Sequence, residues 1–305
     1  MPSAADVPAI SIRGLSKRYG RIRAVLGLEF DVRQGEVFGF LGLNGAGKTT
    51  TIRVTLDLVR ADAGRTFVLG RDCRREGTAV RSLVGYLPGE PGFYPDMTGL
   101  GLLALFERLG RTPVRAAYRE ELLDRFELPG SDLRRKVREY SSGMRRKLGL
   151  VQAFQADAPL LILDEPTEGL DPIVQEAVNR LLVELRSRGR TVFMSSHVLS
   201  EVERVCDRIG VIRDGRLVLL STVEEVRRLA PRRVRVTFSE AVSAIPGDLD
   251  GVEVAALGAR EWRFVVRGTL AGLVRRLAGL PVVDVAVSEP RLEDVLLGFY
   301  REGAG

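Results

Sequence analysis

The 305-residue sequence is short of several residue types, and each shortage narrows the field. It has two cysteines, Cys73 and Cys206, too few for a disulfide framework; as buried thiols they suit a reducing cytoplasm. No run of 18 apolar residues occurs, and the densest stretch, Leu100 to Phe106, is too short to cross a bilayer. The first residues lack a charged start followed by an apolar run, so no signal peptide is expected. Internal repeats and low-complexity segments are missing as well. Only 4 of the 46 basic residues are lysine, which reflects codon usage more than chemistry, and His197 is the single histidine.

What remains is an ordinary globular composition, 45% apolar and 28% charged, in a chain long enough for one large domain and one small one. The net charge of +6 is unevenly spread. Residues 221–305 balance 12 basic against 12 acidic side chains, whereas residues 111–147 hold 11 basic and 6 acidic. That excess reads either as a solvated helical face or as a patch for anionic headgroups or nucleic acid.

Apolar strand patterns fall at Ile10–Ile12, Val37–Leu41, Val84–Leu87, Leu160–Leu163 and Thr191–Ser195. Helical patterns fall at Thr49–Val59, at Thr98–Lys136 with breaks near Pro113 and Pro129, and at Pro172–Ser187. Strands alternating with helices predict a largely parallel sheet covered by helices. Ile209 to Ser221 reads as a hairpin turning at Asp214-Gly215. Beyond a boundary near Ala230-Pro231 come strands at Val234–Phe238, Val252–Ala255, Arg263–Val266 and Val282–Val287. Leu270, Leu273, Val274 and Leu277 share one helical face, as do Leu292, Val295, Leu296, Phe299 and Tyr300 in a final helix.

The segment Gly42 to Thr50, GLNGAGKTT, carries the spacing G-x-x-x-x-G-K-[ST] between a strand and a helix. Its glycines allow a tight turn that aims backbone N–H groups at phosphate oxygens, at the positive end of a helix. Lys48 reaches the β- and γ-phosphates and the Thr49 hydroxyl is a ligand for Mg²⁺. Gly42, Asn44, Gly45, Ala46, Gly47 and Thr50 complete the nucleotide cradle. In LLILDEP, Leu160 to Pro166, Asp164 and Glu165 emerge at the C-terminal end of a buried strand, where open α/β sheets bind ligands. Asp164 is placed to hold Mg²⁺, and Glu165 to take a proton from an attacking water.

With these motifs the chain resembles the nucleotide-binding subunits of ABC transporters, and the likeness covers residues 10–230. YSSGMRRK, Tyr140 to Lys147, stands where the family has its L-S-G-G-Q signature; Ser141 and Gly143 match, and Tyr140, Ser142 and Met144 differ. The resemblance implies that Ser141, Ser142 and Gly143 contact the γ-phosphate held by another copy, although Ser-Ser-Gly alone is also an ordinary helix cap. It further implies that Asp171, in TEGLDP, joins two subunits at the ATP sites. Ser195-Ser196-His197 matches the switch histidine, which would hold the γ-phosphate and position water. Tyr19 matches the aromatic that stacks on adenine, or is a plain surface or core tyrosine.

The fold implied is an α/β P-loop ABC ATPase domain over residues 1–230, with a mixed, largely parallel sheet and a helical subdomain at about residues 90–155. A small α+β C-terminal domain follows over residues 231–305. The cofactors implied are ATP and Mg²⁺. EPRLEDVLLGFY, Glu289 to Tyr300, resembles the tail of the ABC-2 exporter branch, including its daunorubicin-resistance type. The expected partners are therefore a second copy and a membrane-spanning permease of that type, with the chain peripheral on the cytoplasmic face of the membrane. The loop between Val84 and Met97 would dock the permease. Nucleic acid is not expected, because the segment between the cradle and the signature is too short for a DNA-repair member's coiled coil. Two departures stand out: Gly89, followed by Glu90, replaces the usual loop glutamine, and Leu43 replaces a frequent proline. Glu90 either takes over the glutamine's role or the contact is lost. The transported substrate is left open.

Overall fold

The computed structural model describes residues 7–110, 113–243 and 251–288. Two strands, β1 (Ile10–Tyr19) and β2 (Ile22–Val32), pair antiparallel. The chain then enters β3 (Val37–Leu41), whose five residues are all buried. Helix α1 (Lys48–Thr55) follows, then β4 (Ala63–Val68) and β5 (Arg71–Asp72), which return to the first sheet in the order β2-β1-β4-β5. Beyond the short α2 (Gly77–Arg81) and β6 (Val84–Leu87) lie α3 (Gly99–Leu109), α4 (Ala116–Arg125), α5 (Gly130–Leu133) and α6 (Ser142–Phe154). The chain re-enters the second sheet through β7 (Leu160–Asp164), crosses over by α7 (Pro172–Ser187) to β8 (Thr191–Ser196), and passes α8 (Leu199–Val205) to β9 (Arg208–Arg213) and β10 (Arg216–Thr222).

The second sheet runs β10-β9-β3-β8-β7-β6, with every pair from β9 to β6 parallel. Covered strands of this kind read as unbroken apolar runs, which is why VFGFL and LLILD stood out in the sequence. Phe30 stacks on Phe38 and Phe40 with ring centroids 5.5 Å apart in each case, joining the two sheets through one core. Such pairs add about 0.5–1.5 kcal/mol each beyond area burial. Because β3, β8, β7 and β6 are neighbours and parallel, the loops that leave their C-terminal ends meet on one edge.

Several expectations are corrected in detail. Strand β1 runs past Ile12 to Tyr19, and β2 and β4 carried no strand reading. Register shifts along β1 and β2, with Gly27 at φ 64°, break the alternation that would betray them. The helix expected to run to Val59 ends at Thr55, since the amides of Leu58 and Val59 both turn back to the Arg53 carbonyl. The segment from Thr98 onward divides at the two expected breaks into three helices, the first capped by the Thr98 hydroxyl. Asp214 and Gly215, at φ 49° and 75°, make the predicted hairpin turn between β9 and β10. Both cysteines are buried, and burial pushes the thiols up, Cys73 to about 11.

The chain divides into two compact units, the first ending at Leu220 and the second beginning at Ser221. The second contains α9 (Val223–Leu229), β11 (Arg232–Phe238), β12 (Val252–Gly258), β13 (Glu261–Val266), α10 (Ala271–Leu277) and β14 (Val282–Ser288). Its sheet, ordered β12-β13-β11-β14, has its own core of Val234, Val236, Phe238, Trp262, Phe264, Val266, Leu273 and Leu277. Val274, assigned to the apolar face of α10 from its spacing, is 58% exposed instead. The final helix and the tail motif expected at residues 289–300 lie outside the described residues.

Candidate functional site

The loop between β3 and α1 is shaped by backbone requirements. Gly47 has φ 111°, and a Cβ there would lie 2.3 Å from the Ala24 carbonyl oxygen, so only glycine fits. Ala46 is buried behind the loop; its amide donates to Leu43 O and its carbonyl accepts from the Gly215 amide, 3.1 Å in each case. Lys48, 6% exposed, donates through Nζ to the Gly42 carbonyl at 2.6 Å and lies 3.2 Å from Glu165 Oε1.

Two loops further along the same edge supply the acidic side. The Ser195 hydroxyl donates to Asp164 Oδ1 at 2.5 Å and accepts from the Glu165 amide at 3.0 Å. Asp164 Oδ2 is buried and has no hydrogen-bond partner. Glu165 has φ 53°, left-handed backbone that a side chain adopts at a cost of about 1–3 kcal/mol. That turn brings its carboxylate between Lys48 and His197, whose Nδ1 is 2.9 Å from Glu165 Oε2. With the proton on Nδ1, the imidazole donates to the carboxylate and leaves Nε2 free to accept.

A cleft of about 530 Å³ opens over these groups. Asn44, Gly45, Gly47, Lys48, Thr49 and Thr50 form one wall, and Gly89, Glu90, Asp164, Glu165 and Glu168 the other. Gly42 and Ala46 support the loop from behind. Six more of the sequence-predicted residues do not line this cleft: His197, which meets it only through Glu165, and Ser141, Ser142, Gly143, Asp171 and Tyr19. Ser141 caps α6 by accepting from the Met144 amide at 3.2 Å, with Ser142 and Gly143 in the first turn. Asp171 caps α7 by accepting from Val174 N, which holds its carboxyl below the usual range, and Lys147 Nζ is 3.4 Å away. Tyr19 is 45% exposed at the end of β1, with Lys17 Nζ 5.4 Å from its ring centre. A Cβ at Gly143 would lie 3.6 Å from the Gly169 carbonyl, so the signature turn adjoins the Thr167–Pro172 loop on its own chain.

Sequence reasoning missed Glu168 in the cleft wall and, more consequentially, Arg146. Arg146 was counted within the basic run, yet it is 4% exposed, its Nη donors go to main-chain carbonyls, and its buried Nε has no partner. Burial lowers its pKa, opposed by the nearby carboxylates of Glu168, Asp164 and Glu165. No sequence signal marks such a residue, because every residue has a carbonyl. Much of the remaining basic excess is tied up in ion pairs: Arg115 with Asp157, Arg119 with Glu107, Arg125 with Glu121 and Glu184, and Arg138 with Asp96.

A second cavity, about 510 Å³, is walled largely by apolar groups including Leu56, Leu58, Tyr86, Phe93, Phe106 and Leu109. Phe93 meets Phe106 edge to face at 6.3 Å, while Tyr94 beside it is 63% exposed.

Comparison with known proteins follows the same lines. Residues 25–168 match the family model described as ABC transporter. A daunorubicin resistance ATP-binding protein of Streptomyces coeruleorubidus is 39% identical over 306 residues, covering 95% of each chain. A fluoroquinolones export ATP-binding protein of Mycobacterium tuberculosis is 35% identical over 256 residues, 82% of this chain and 80% of that one. Among solved structures, an ATP-binding subunit of an ABC transporter superposes with TM-score 0.66 at 30% identity, over 72% of this chain and 92% of that one.

Proposed function

This chain belongs to the ABC transporter family as an ATP-binding, ATP-hydrolysing subunit, and from that premise we propose how its cleft works and what it drives. The observation that carries the reading is the meeting of Lys48, Glu165 and His197 beside the unpartnered Asp164 Oδ2, at the C-terminal ends of β3, β7 and β8. The loop Gly42–Thr50 and the start of α1 cradle the ATP phosphates with backbone N–H groups, and Lys48 exchanges its carbonyl contacts for β- and γ-phosphate oxygens.

The orphaned carboxylate oxygen of Asp164 and the Thr49 hydroxyl fit a hard cation held mainly by substrate phosphates. Among the described residues there is no larger cluster of acidic, histidine or cysteine ligands. Asp164 and Thr49 would hold Mg²⁺, which when bound supplies positive charge to the β- and γ-phosphate oxygens. Glu165 orients an attacking water and accepts its proton. His197 fixes that carboxylate through Nδ1, and its Nε2 accepts from the attacking water and so helps to position it.

One chain leaves its own cleft without a second wall of signature residues, since Ser141, Ser142 and Gly143 do not line it. A second copy supplies them, and Asp171 lies beside the same junction. ATP then favours the closed pair, and hydrolysis with product release reopens it. The apolar cavity beside β6 and α3 is where a permease of the ABC-2 type docks, with Tyr94 as an exposed anchor. The chain is thus peripheral on the cytoplasmic face of the membrane. Export is the direction favoured by the names of the relatives and by the sequence of residues 289–300.

The test is Glu165→Gln. It should bind MgATP as the wild type does, lose about 10²–10⁴-fold in hydrolysis rate, and accumulate as an ATP-dependent dimer in light scattering. A variant that hydrolyses ATP at the wild-type rate, or stays monomeric at saturating ATP with the permease present, would sink this reading.

A further inference from the structure

The parallel ladder between β6 and β7 ends at the pair Leu87 and Leu163, while β7 keeps its other neighbour β8 through Asp164 and Ser195. The two chains therefore part just before the cleft. Arg146 fills the fork. Its Nη1 donates to the carbonyls of Pro88, at 3.0 Å, and Gly89, and its Nη2 to those of Asp164, at 3.0 Å, and Glu165. The guanidinium thus takes the next two carbonyls on each side of the split, in the plane its forked donors dictate.

Burying such a charge costs several kcal/mol unless its surroundings return it. Here four carbonyls take the Nη donors and the Asp164, Glu165 and Glu168 carboxylates lie nearby, which offsets part of that cost, while Nε is buried without a partner. A lysine or glutamine at this position would have too few donors in the right plane. Three parts of the proposed site converge on this one group. Arg146 sits in the second turn of α6, the helix capped by Ser141. Gly89 begins the loop that leads to Tyr94, and stands where the family's loop glutamine is expected. Glu165 is held in left-handed backbone, and its carbonyl is one of the four acceptors.

We propose that Arg146 is a positioning residue for ATP hydrolysis: by clamping the β6–β7 fork it fixes the backbone of Glu165 and so aims that carboxylate, and it links this aim to α6 and to the loop after β6. The proposal rests on Glu165 being the general base. It assigns to Arg146 the link between loop and cleft that the missing glutamine leaves open.

The experiment is steady-state MgATP hydrolysis by the full chain carrying Arg146→Gln, Arg146→Lys, Glu165→Gln and the double variant. Arg146→Gln should lower kcat by about 100-fold, the scale of a misplacement of about 1 Å, while the KM for ATP stays within about threefold. Arg146→Lys keeps the charge but cannot span four acceptors; an intermediate loss, about tenfold in kcat at unchanged KM, is expected. In the Glu165→Gln background, Arg146→Gln should reduce the residual rate by less than about twofold, because it acts through Glu165. A purely structural role would lower rate and ATP binding together, by the same factor in both backgrounds, and would overturn the proposal. So would wild-type kcat in Arg146→Lys, the variant that decides the matter if Arg146→Gln does not fold. Wild-type kcat in Glu165→Gln would instead remove the general base, and the inference with it.

Discussion

Lys48 meets three acceptors at once, two loop carbonyls and the Glu165 carboxylate, so its charge is the pivot between the phosphate cradle and the base. Lys48→Ala removes the charge and leaves Glu165 without that partner. Hydrolysis should fall by at least about 100-fold, the scale of losing one group aimed at developing charge, as measured by phosphate release under saturating MgATP. Retention of wild-type turnover would take the loop out of the mechanism. That Lys48, Asp164, Glu165 and His197 come together was legible, because each lies at or beyond the C-terminal end of a strand of strong apolar pattern. Two features were not legible. The left-handed backbone of Glu165 depends on the fork around it, and Arg146 reads as one more surface charge in a run of three basic residues.

At the scale of elements, the parallel strands were legible and the antiparallel ones less so. A strand covered on both faces announces itself as an unbroken apolar run, as in Leu160–Leu163 of β7, whose five residues are all buried. In β2 the inward residues Val25, Leu28, Phe30 and Val32 change spacing around Gly27, and the period-two signal is lost. The loop after β6 shows how two neighbouring aromatics differ. Phe93 packs against Phe106 within the apolar cavity and Tyr94 faces outward. Phe93→Ala should destabilise the chain by about 1–3 kcal/mol, less than the truncation of a fully buried phenylalanine. Tyr94→Ala should change stability by no more than about 0.5 kcal/mol, yet weaken association with the permease by about tenfold or more. Thermal melts of the isolated chain and co-purification with the permease separate the two. Equal effects of both variants on stability would contradict this division of roles.

Across the whole molecule, the residues proposed for nucleotide chemistry fall between Tyr19 and His197, and the hairpin turn that supports the loop ends at Gly215. All of them lie in the first compact unit, which ends at Leu220. The second unit closes its own core around Phe238, Trp262 and Phe264, and the described residues that line the nucleotide cleft all belong to the first. The sequence signalled this second module through its neutral charge and its change to short strands. A chain ending at residue 230 keeps β10 whole, and with it the edge of the sheet that carries the cradle. It should bind MgATP with an affinity within about threefold of the full chain, a difference of less than about 0.7 kcal/mol. Nucleotide at 100 times Kd stabilises a fold by about 2.7 kcal/mol, which for a unit of this size raises the melting temperature by about 5–10 °C. The truncated and full chains should therefore show the same nucleotide-dependent shift when melted with and without MgATP. A truncated chain that folds cooperatively but shows no shift would mean that the second unit takes part in binding, and that the cleft is not the whole site.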